Sequence, residues 1–445
     1  MGIYRRLSDR LQANADRYGP IDGSLSLGRM GFIWLAANLV VTTMLTGTLF
    51  VPGMPWTTTI VLIFLGSLLG GIVLVLVGNI GTRTGLPTMS VAKGALGLRG
   101  AWVAVAANVI ILMGWSWVQA MLAGLTVDYL VHSATGYSNP MLFAVLCQVL
   151  VIGLAIFGHE GIAKVEPWLG VAILACMGYV YVVAFTDLGL EPFLSLAVEP
   201  ELGWTRLLVL DVVIATAISW TVLSADLNRL AGSQTAGIVG SGSGYVLSTT
   251  LSMSLGATAI AYVVISQGAA PSFDPTVLVA NFGVPLAFVI FFSVMATNTM
   301  VMYGMVSSVI NAAPLRRLEF LPCALVLGAI SIVGATWFQL LDQFTNFLAL
   351  IGTLFIPLFA IMIVDYYVAH RGDYSEDILL TEGGRYWYQE GWHTPALTIW
   401  AIGAFASLAF NLFIPSPVGA SIATFVIAFG LYLAWTLANR SRQPA

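Results

Sequence analysis

Apolar residues run through this chain in long stretches, and polar residues gather in the gaps between them. Stretches of roughly 18 or more residues recur from residue 27 to residue 438, each long enough to cross ~30 Å of hydrocarbon as an α-helix. The gaps carry turn signals: "VPGMP" at 51–55, "YSNP" at 137–140, "QGAAPSFDP" at 267–275 and "IPSP" at 414–417. The pattern predicts twelve spans, at 27–50, 57–80, 99–131, 140–157, 165–187, 205–228, 243–267, 284–311, 319–337, 341–369, 395–414 and 417–438. Strands of a membrane barrel would be shorter and would alternate polar with apolar positions; these stretches do not. The expected class is an all-α polytopic membrane protein embedded in a lipid bilayer.

Composition agrees. The 445 residues are 58% hydrophobic and 9% charged, against ~25% charged in soluble domains. The longest gap, 370–394, reads as a polar loop, too short for a soluble domain. Residues 1–26 lack the apolar core of a cleaved signal peptide and read as a cytosolic tail, as do 439–445. Cys147, Cys176 and Cys323 stand apart in apolar stretches and form no disulfide frame, and four scattered histidines form no metal cluster.

Charge sets the orientation. Twelve spans place sixteen of the seventeen basic residues on one side: Arg5, Arg6, Arg10, Arg17, Arg29, Arg83, Lys93, Arg99, Lys164, Arg229, Arg316, Arg317, Arg371, Arg385, Arg440 and Arg442. Arg206 alone falls on the other, beside Asp187, Glu191, Glu199 and Glu201. By the positive-inside rule both termini are expected in the cytosol of a cell-membrane protein.

Polar groups in mid-membrane are costly and tend to line pathways. They cluster at "WLAANLVVTTMLTGT" (34–48), at Trp115, Trp117 and Gln119, at "ATAISWTVLSADLNR" (215–229) and at "SVMATNTMVMYG" (293–304). The first and third clusters occupy spans one and six, the opening spans of two five-span halves, and interrupted helices at such matching positions point to a transporter site. Gln119 lies one helical turn beyond Trp115 on the same face. The pair offers an indole face for stacking and an amide that both donates and accepts. Taken singly, each residue has a plainer reading: tryptophan packs, Gln119 bonds a neighbouring helix, Thr297 bonds its own backbone. Asn38 is placed to stabilise a local unwinding, and Asp226 with Arg229 to form a cytosolic end pair or gate. "GSGSG" at 240–244 follows no strand and His159–Glu160 has no metal partner. No nucleophile, base and orienter set suggests an enzyme, and no signalling domain suggests a receptor.

"TGLPTMSVAKGALGLRGAW" (84–102), the Trp-x-x-x-Gln of "GWSWVQAMLAGLTVDYL" (114–130) and "TNFLALIGTLFIPLFAIMIVDYYV" (345–368) resemble the nucleobase–cation symporter-1 family over nearly the whole chain. "ISWTVLSADLNRLA" (218–231) resembles its cytosine and hydroxymethylpyrimidine branch. The resemblance implies a leucine-transporter-like fold: a first repeat over 27–187, an inverted second repeat over 205–369, and two extra helices over 395–438. It implies a planar heterocycle held between Trp115 and Trp220, with Gln119 bonding its edge. The span-one glutamine of the hydantoin branch falls on Val40 and its span-eight asparagine on Met302, leaving Asn38, Thr43, Ser219 and Asn298 as replacements. For a coupling sodium it implies the carbonyls of Ala36, Leu39 and Ser293 and the Thr297 hydroxyl. Ala296 stands where the family has a serine, and the Ser293 hydroxyl, one turn earlier, is the substitute at hand.

Three alternatives stay open: sodium coupling, proton coupling through Asp226, and an amino acid or other small solute as cargo on the same fold. No cofactor, nucleic acid or obligate protein partner is expected; the partners are the heterocycle, the coupling cation and lipid. For the topology, cysteines placed at Gly53, Ser272 and Pro415 are expected to react with an impermeant thiol reagent from outside intact cells. Labelling only after permeabilisation inverts the topology.

Overall fold

Twenty-odd apolar residues in a row make a straight helix unless something else satisfies the backbone, and most stretches here obey. The computed structural model describes residues 20–157, 159–268, 273–312, 318–414 and 416–439, with the backbone alone at 157, 159–169, 311 and 312. Residues 1–19 and 440–445 of the expected tails lie outside the described residues. So do Arg5, Arg6, Arg10, Arg17, Arg316, Arg317, Arg440, Arg442, Ser272 and Pro415, and the side chains of His159, Glu160 and Lys164.

The helices are α1 Leu27–Asn38, α2 Val41–Gly47, α3 Trp56–Thr84, α4 Thr88–Leu96, α5 Ala101–Thr135, α6 Pro140–Phe157, α7 His159–Leu188, α8 Arg206–Thr221, α9 Ser224–Asn228, α10 Ser241–Gln267, α11 Pro275–Phe282, α12 Val284–Ala312, α13 Phe320–Gly334, α14 Phe344–Val364, α15 Thr394–Leu412 and α16 Ala420–Asn439. Among the described residues eight helices are long and apolar enough to cross a membrane, or nine when the bent pair α1–α2 counts as one span. Shorter apolar helices lie at 140–156 and 320–334, and the predicted sixth span is divided between α8 and α9. The chain is a multi-pass membrane protein.

Span one breaks at Leu39–Val40 with a bend of 65°. Val40 is extended, at φ −116° and ψ 151°. No proline or glycine stands there. The run Val40, Val41, Thr42, Thr43 is β-branched and gives up little by leaving the helix, and α10 supplies the missing partners. The Asn38 amide donates to Ser248 Oγ at 2.9 Å and to Thr249 Oγ1 at 2.5 Å, and the Ser252 hydroxyl donates to the Val40 carbonyl at 3.4 Å. Below the break Gly47 lies on the Met253 carbonyl, and Gly256 on that of Met44. A Cβ at either would collide with backbone, so the two helices meet at glycine.

Span six breaks after Thr221. Its short second half ends on Asn228, which is fully buried and joins four elements. Asn228 accepts from Trp34 Nε1 at 2.7 Å and donates to the Gly237 carbonyl and to Ser241 Oγ, both at 3.0 Å. Its own carbonyl accepts from Thr82 Oγ1 at 2.8 Å. Spans one, two, six and seven are thereby one group. A second group, α5, α6, α12 and α13, is tied by a buried polar cluster. The Ser116 and Ser331 hydroxyls lie 2.8 Å apart, and the Gln148 amide donates to both at 3.1 and 2.7 Å. Asn298 Nδ2 donates to Gln148 Oε1 at 2.9 Å and to the Ser116 carbonyl at 3.2 Å.

Two helices go beyond the expected pattern: α4 in the gap between spans two and three, and α11 before span eight. The start of α11 is legible in retrospect, since Asp274 caps it and Pro275 opens it. The stretch 370–394, expected as a polar loop, folds as a cap over α4 and the start of α5. The Arg99 and Gly100 N–H groups donate to the Gly391 carbonyl at 2.8 and 3.1 Å, and His393 N–H to that of Leu96 at 2.9 Å.

The cap is anchored on buried Asp365, just past α14. Asp365 accepts from Tyr374 Oη at 2.7 Å and from Tyr432 Oη at 2.8 Å, and pairs with His370 Nδ1 at 3.2 Å. Burial alone would pull the His370 pKa down; the Asp365 carboxylate outweighs it and holds it above the ordinary 6.5. A raised folded-state pKa contributes stability that is complete below pH 6.5 and is lost as pH rises through the folded value. Thermal unfolding of the purified protein is therefore expected to show a midpoint that falls as pH rises from 6 to 9. His370→Ala should lower the midpoint at pH 6 and flatten that slope. An unchanged slope in the variant counts against the ion pair.

Candidate functional site

Between the two broken spans lies a cavity of about 40 Å³. Each wall comes from one helical face. Leu112, Trp115 and Gln119 follow one another at three and four residues on α5, and Thr216, Ser219, Trp220 and Leu223 come from span six and its break. Thr42, Thr43 and Thr46 come from α2, and Thr297 and Val301 from α12. No charged side chain lines it.

The two indoles are held by other rings. Trp115 meets Phe347 and Phe344 edge-on, with centroids 5.4 and 5.8 Å apart, and Phe344 is itself stacked on Phe273 at 3.9 Å. Trp220 meets Trp34 edge-on at 6.5 Å, and Trp34 is fixed by its bond to Asn228. Few rotamers survive such contacts, so the indoles hold their orientation without a ligand. Gln119 is 2% exposed and its Oε1 has no hydrogen-bond partner. A buried acceptor left unpaired costs about 1–3 kcal/mol, which a ligand donor in the cavity would offset.

The structure brings together five residues singled out in the sequence: Trp115, Gln119, Ser219, Trp220 and Thr297, with Thr43 beside them. Asn38, Val40 and Asn298 do not line this cavity. Asn38 serves the span-one break, and Asn298 belongs to the cluster with Gln148 and Ser116. Val40 lies in a separate crevice with Met44, Ile173 and Leu286. Trp117 turns to the opposite face of α5, against Trp337 at 6.2 Å.

Of the residues implied for an ion, Ala36 and Leu39 lie at the end of α1, and Ser293, Ala296 and Thr297 lie on α12. The Thr297 hydroxyl donates to the Ser293 carbonyl at 2.9 Å and keeps its lone pairs. The Ser293 hydroxyl is buried, 2% exposed, and has no partner. An orphaned oxygen one turn from Thr297 suits a hard cation, which takes oxygen ligands.

A second, larger cavity of about 250 Å³ adjoins the first, and Trp220 and Leu223 line both. Asp226 and Arg229 belong to it. Asp226 Oδ2 accepts from the Thr88 N–H at 3.0 Å and so caps α4, while Thr88 Oγ1 accepts from the Ala225 N–H at 3.1 Å.

Sequence reasoning missed Phe344, Phe347 and Trp34 as buttresses and Leu112, Thr46, Thr216 and Val301 as wall. The last group shared a helical face with residues already singled out; the buttresses carried no polar signal.

A family model described as permease for cytosine/purines, uracil, thiamine, allantoin matches residues 28–437. The cytosine permease of Escherichia coli (strain K12) is 24% identical over 363 residues, 81% of this chain and 83% of its own length. A putative purine-cytosine permease, YxlA, of Bacillus subtilis (strain 168) is 27% identical over 376 residues, 80% and 78% of the two lengths. Among solved structures, Mhp1 in its inward-facing conformation superposes with a TM-score of 0.83 at 19% identity, covering 96% of this chain and 94% of that one. Mhp1 described as a nucleobase-cation-symport-1 family transporter, closed with bromovinylhydantoin bound, gives 0.80 at 18% identity over 96% and 95%. The fold is leucine-transporter-like.

The polar side chains divide into those with partners and those without, and stability should separate them. Asn298→Leu leaves Gln148 Oε1 buried without its donor and is expected to cost about 1–3 kcal/mol in thermal unfolding of the ligand-free protein. Gln119→Leu removes an oxygen that has no partner and should leave the midpoint unchanged or raised. Equal destabilisation by both would mean that Gln119 is a structural amide.

Proposed function

The chain belongs to the family of permeases for cytosine/purines, uracil, thiamine and allantoin, and on that premise we propose that it imports a nucleobase or related heterocycle, of the cytosine, purine or hydroxymethylpyrimidine type, by sodium symport and alternating access. It is a permease and not an enzyme. The observation that carries the reading is the convergence of Trp115, Gln119, Ser219, Trp220 and Thr297 on one uncharged cavity. A nucleobase has apolar faces and a polar edge. Trp115 and Trp220 supply planes for the faces, and Gln119 and Ser219 read the edge. The bromovinylhydantoin bound to Mhp1, a planar amide ring, supports such a cargo.

Sodium is the coupling ion in this reading. Its ligands are the carbonyls of Ala36, Leu39 and Ser293, freed in part by the span-one break, with the hydroxyls of Thr297 and Ser293. The Ser293 hydroxyl stands in for the one lost at Ala296. Repeat one covers 27–187, repeat two 205–369, and the extra helices 395–438, in twelve crossings of the cell membrane with both termini in the cytosol. The larger cavity, beside Asp226 and Arg229, is then the cytosolic exit. A second reading keeps the cargo and replaces sodium with a proton; the Asp226 carboxylate bordering that exit is the observation that favours it.

Binding of labelled nucleobases to purified protein tests both. Trp115→Ala and Trp220→Ala are expected to weaken binding by about 1–3 kcal/mol, the range for base–aromatic stacking, and Trp117→Phe to matter less. Sodium should raise affinity, Thr297→Val should abolish that rise, and Ser293→Ala should reduce it. Uptake that ignores sodium, follows an imposed pH gradient and is lost in Asp226→Asn would establish the proton reading instead.

A further inference from the structure

We propose that the cavity selects a neutral ring whose edge is rich in hydrogen-bond donors, an amino-substituted heterocycle, over the same ring with an oxo group in place of the amino group. This rests on the reading of the cavity as a heterocycle site and goes further, to the chemistry of the edge.

A hydroxyl has one hydrogen and two lone pairs, and in this cavity the hydrogens are already placed. Thr46 donates to the Thr42 carbonyl at 2.9 Å, Thr216 to Val212 at 3.0 Å, Ser219 to Thr216 at 2.7 Å and Thr297 to Ser293 at 2.9 Å. Thr43 donates to Asn38 Oδ1 at 3.4 Å. Each is bonded back within its own helix or across the helix break, and presents lone pairs to whatever lies beside it. Gln119 adds a carbonyl oxygen that is buried and unpartnered.

The donors are fewer: the Gln119 Nε2 group and the Thr42 hydroxyl. An indole that stacks by its face directs its N–H along its own plane, away from a ring lying over it. With no charged side chain in the lining, nothing compensates an ionised ring, so the ring enters neutral.

An amino group brings two N–H donors to this ring of acceptors. An oxo group at the same position brings lone pairs against lone pairs, its ring regains only one N–H at the neighbouring nitrogen, and a wall hydroxyl can meet the oxo oxygen only by breaking its backbone bond and rotating. Sites built to pair with an N–H reject the analogue that lacks it far more strongly than apolar pockets reject a change in size.

The test uses full-length purified protein in sodium and two pairs of rings that exchange an amino group for an oxo group, and with it the neighbouring ring-nitrogen acceptor for an N–H, so that the oxo ring has one N–H fewer: cytosine with uracil, and adenine with hypoxanthine. The amino member of each pair that binds is expected to bind at least tenfold more tightly. Thr216→Val, which removes one acceptor and keeps the shape, should weaken the amino ring several-fold and leave the oxo ring unchanged or improved; a merely structural role would weaken both alike. Equal or tighter binding of the oxo member overturns the proposal while the transport reading stands. Failure of all four rings to bind overturns the proposal together with the reading of the cavity as a cytosine or purine site.

Discussion

A backbone N–H or C=O without a partner costs several kcal/mol in hydrocarbon, and this protein breaks two helices in the middle of their spans. That constraint organises the rest of the structure. Span one can unwind at Leu39–Val40 because α10 presents Ser248, Thr249 and Ser252 to Asn38 and to the Val40 carbonyl. The approach is close because glycine stands at 47 and 256. Span six can break because its second half is pinned through Asn228 to spans one, two and seven. Each break needs a neighbour that is far away in sequence, so the breaks and the bundle around them form together or not at all.

The polar groups near the cavity fall into two populations with different physical roles. The Ser116–Gln148–Asn298–Ser331 cluster bonds within itself almost completely and holds α5 and α12 in register behind the cavity wall. Gln119 Oε1 and Ser293 Oγ, in contrast, are buried and unpaired. Other buried side-chain atoms among the described residues, Asn298 Oδ1, Trp117 Nε1 and Ser254 Oγ among them, are unpaired as well, and these two differ from them in where they lie. Here one faces the cavity between the indoles, and the other lies beside Thr297. Gln119 stands one helical turn beyond Ser116, and Ser293 five residues before Asn298, so each unpaired group shares its helix with a group that is fixed.

The two cavities meet at Trp220 and Leu223, next to the break in span six. Trp220 and Leu223 border both cavities, so a shift of the segment that carries them reshapes both. Asp226, bonded to the N-terminus of α4, extends that connection to the cap anchored on Asp365. In a permease of this family, movement of the second half of span six would therefore be felt at once by the cavity, by α4 and by the cap.

Much of this was legible in the sequence, for a local reason. Hydropathy over some twenty residues decides whether a segment enters lipid, so the all-helical class and the positions of the apolar stretches followed from composition alone. Helical spacing put Trp115 with Gln119 on a common face, and the glutamine in mid-membrane was conspicuous because its burial is costly. What local pattern could not decide was where each polar group finds its partner. Nothing in Asn38-Leu39-Val40-Val41 ends a helix by itself; the break exists because α10, some 210 residues on, accepts and donates there. Asn298 looked as available as Thr297, its neighbour, yet one turns to Gln148 and the other to the cavity. The helix at 88–96, the folded cap at 370–393 and the phenylalanine buttress behind Trp115 carry no periodic or polar signal of their own. Their places are set by contacts between segments distant in the chain, and only the tertiary structure brings those together.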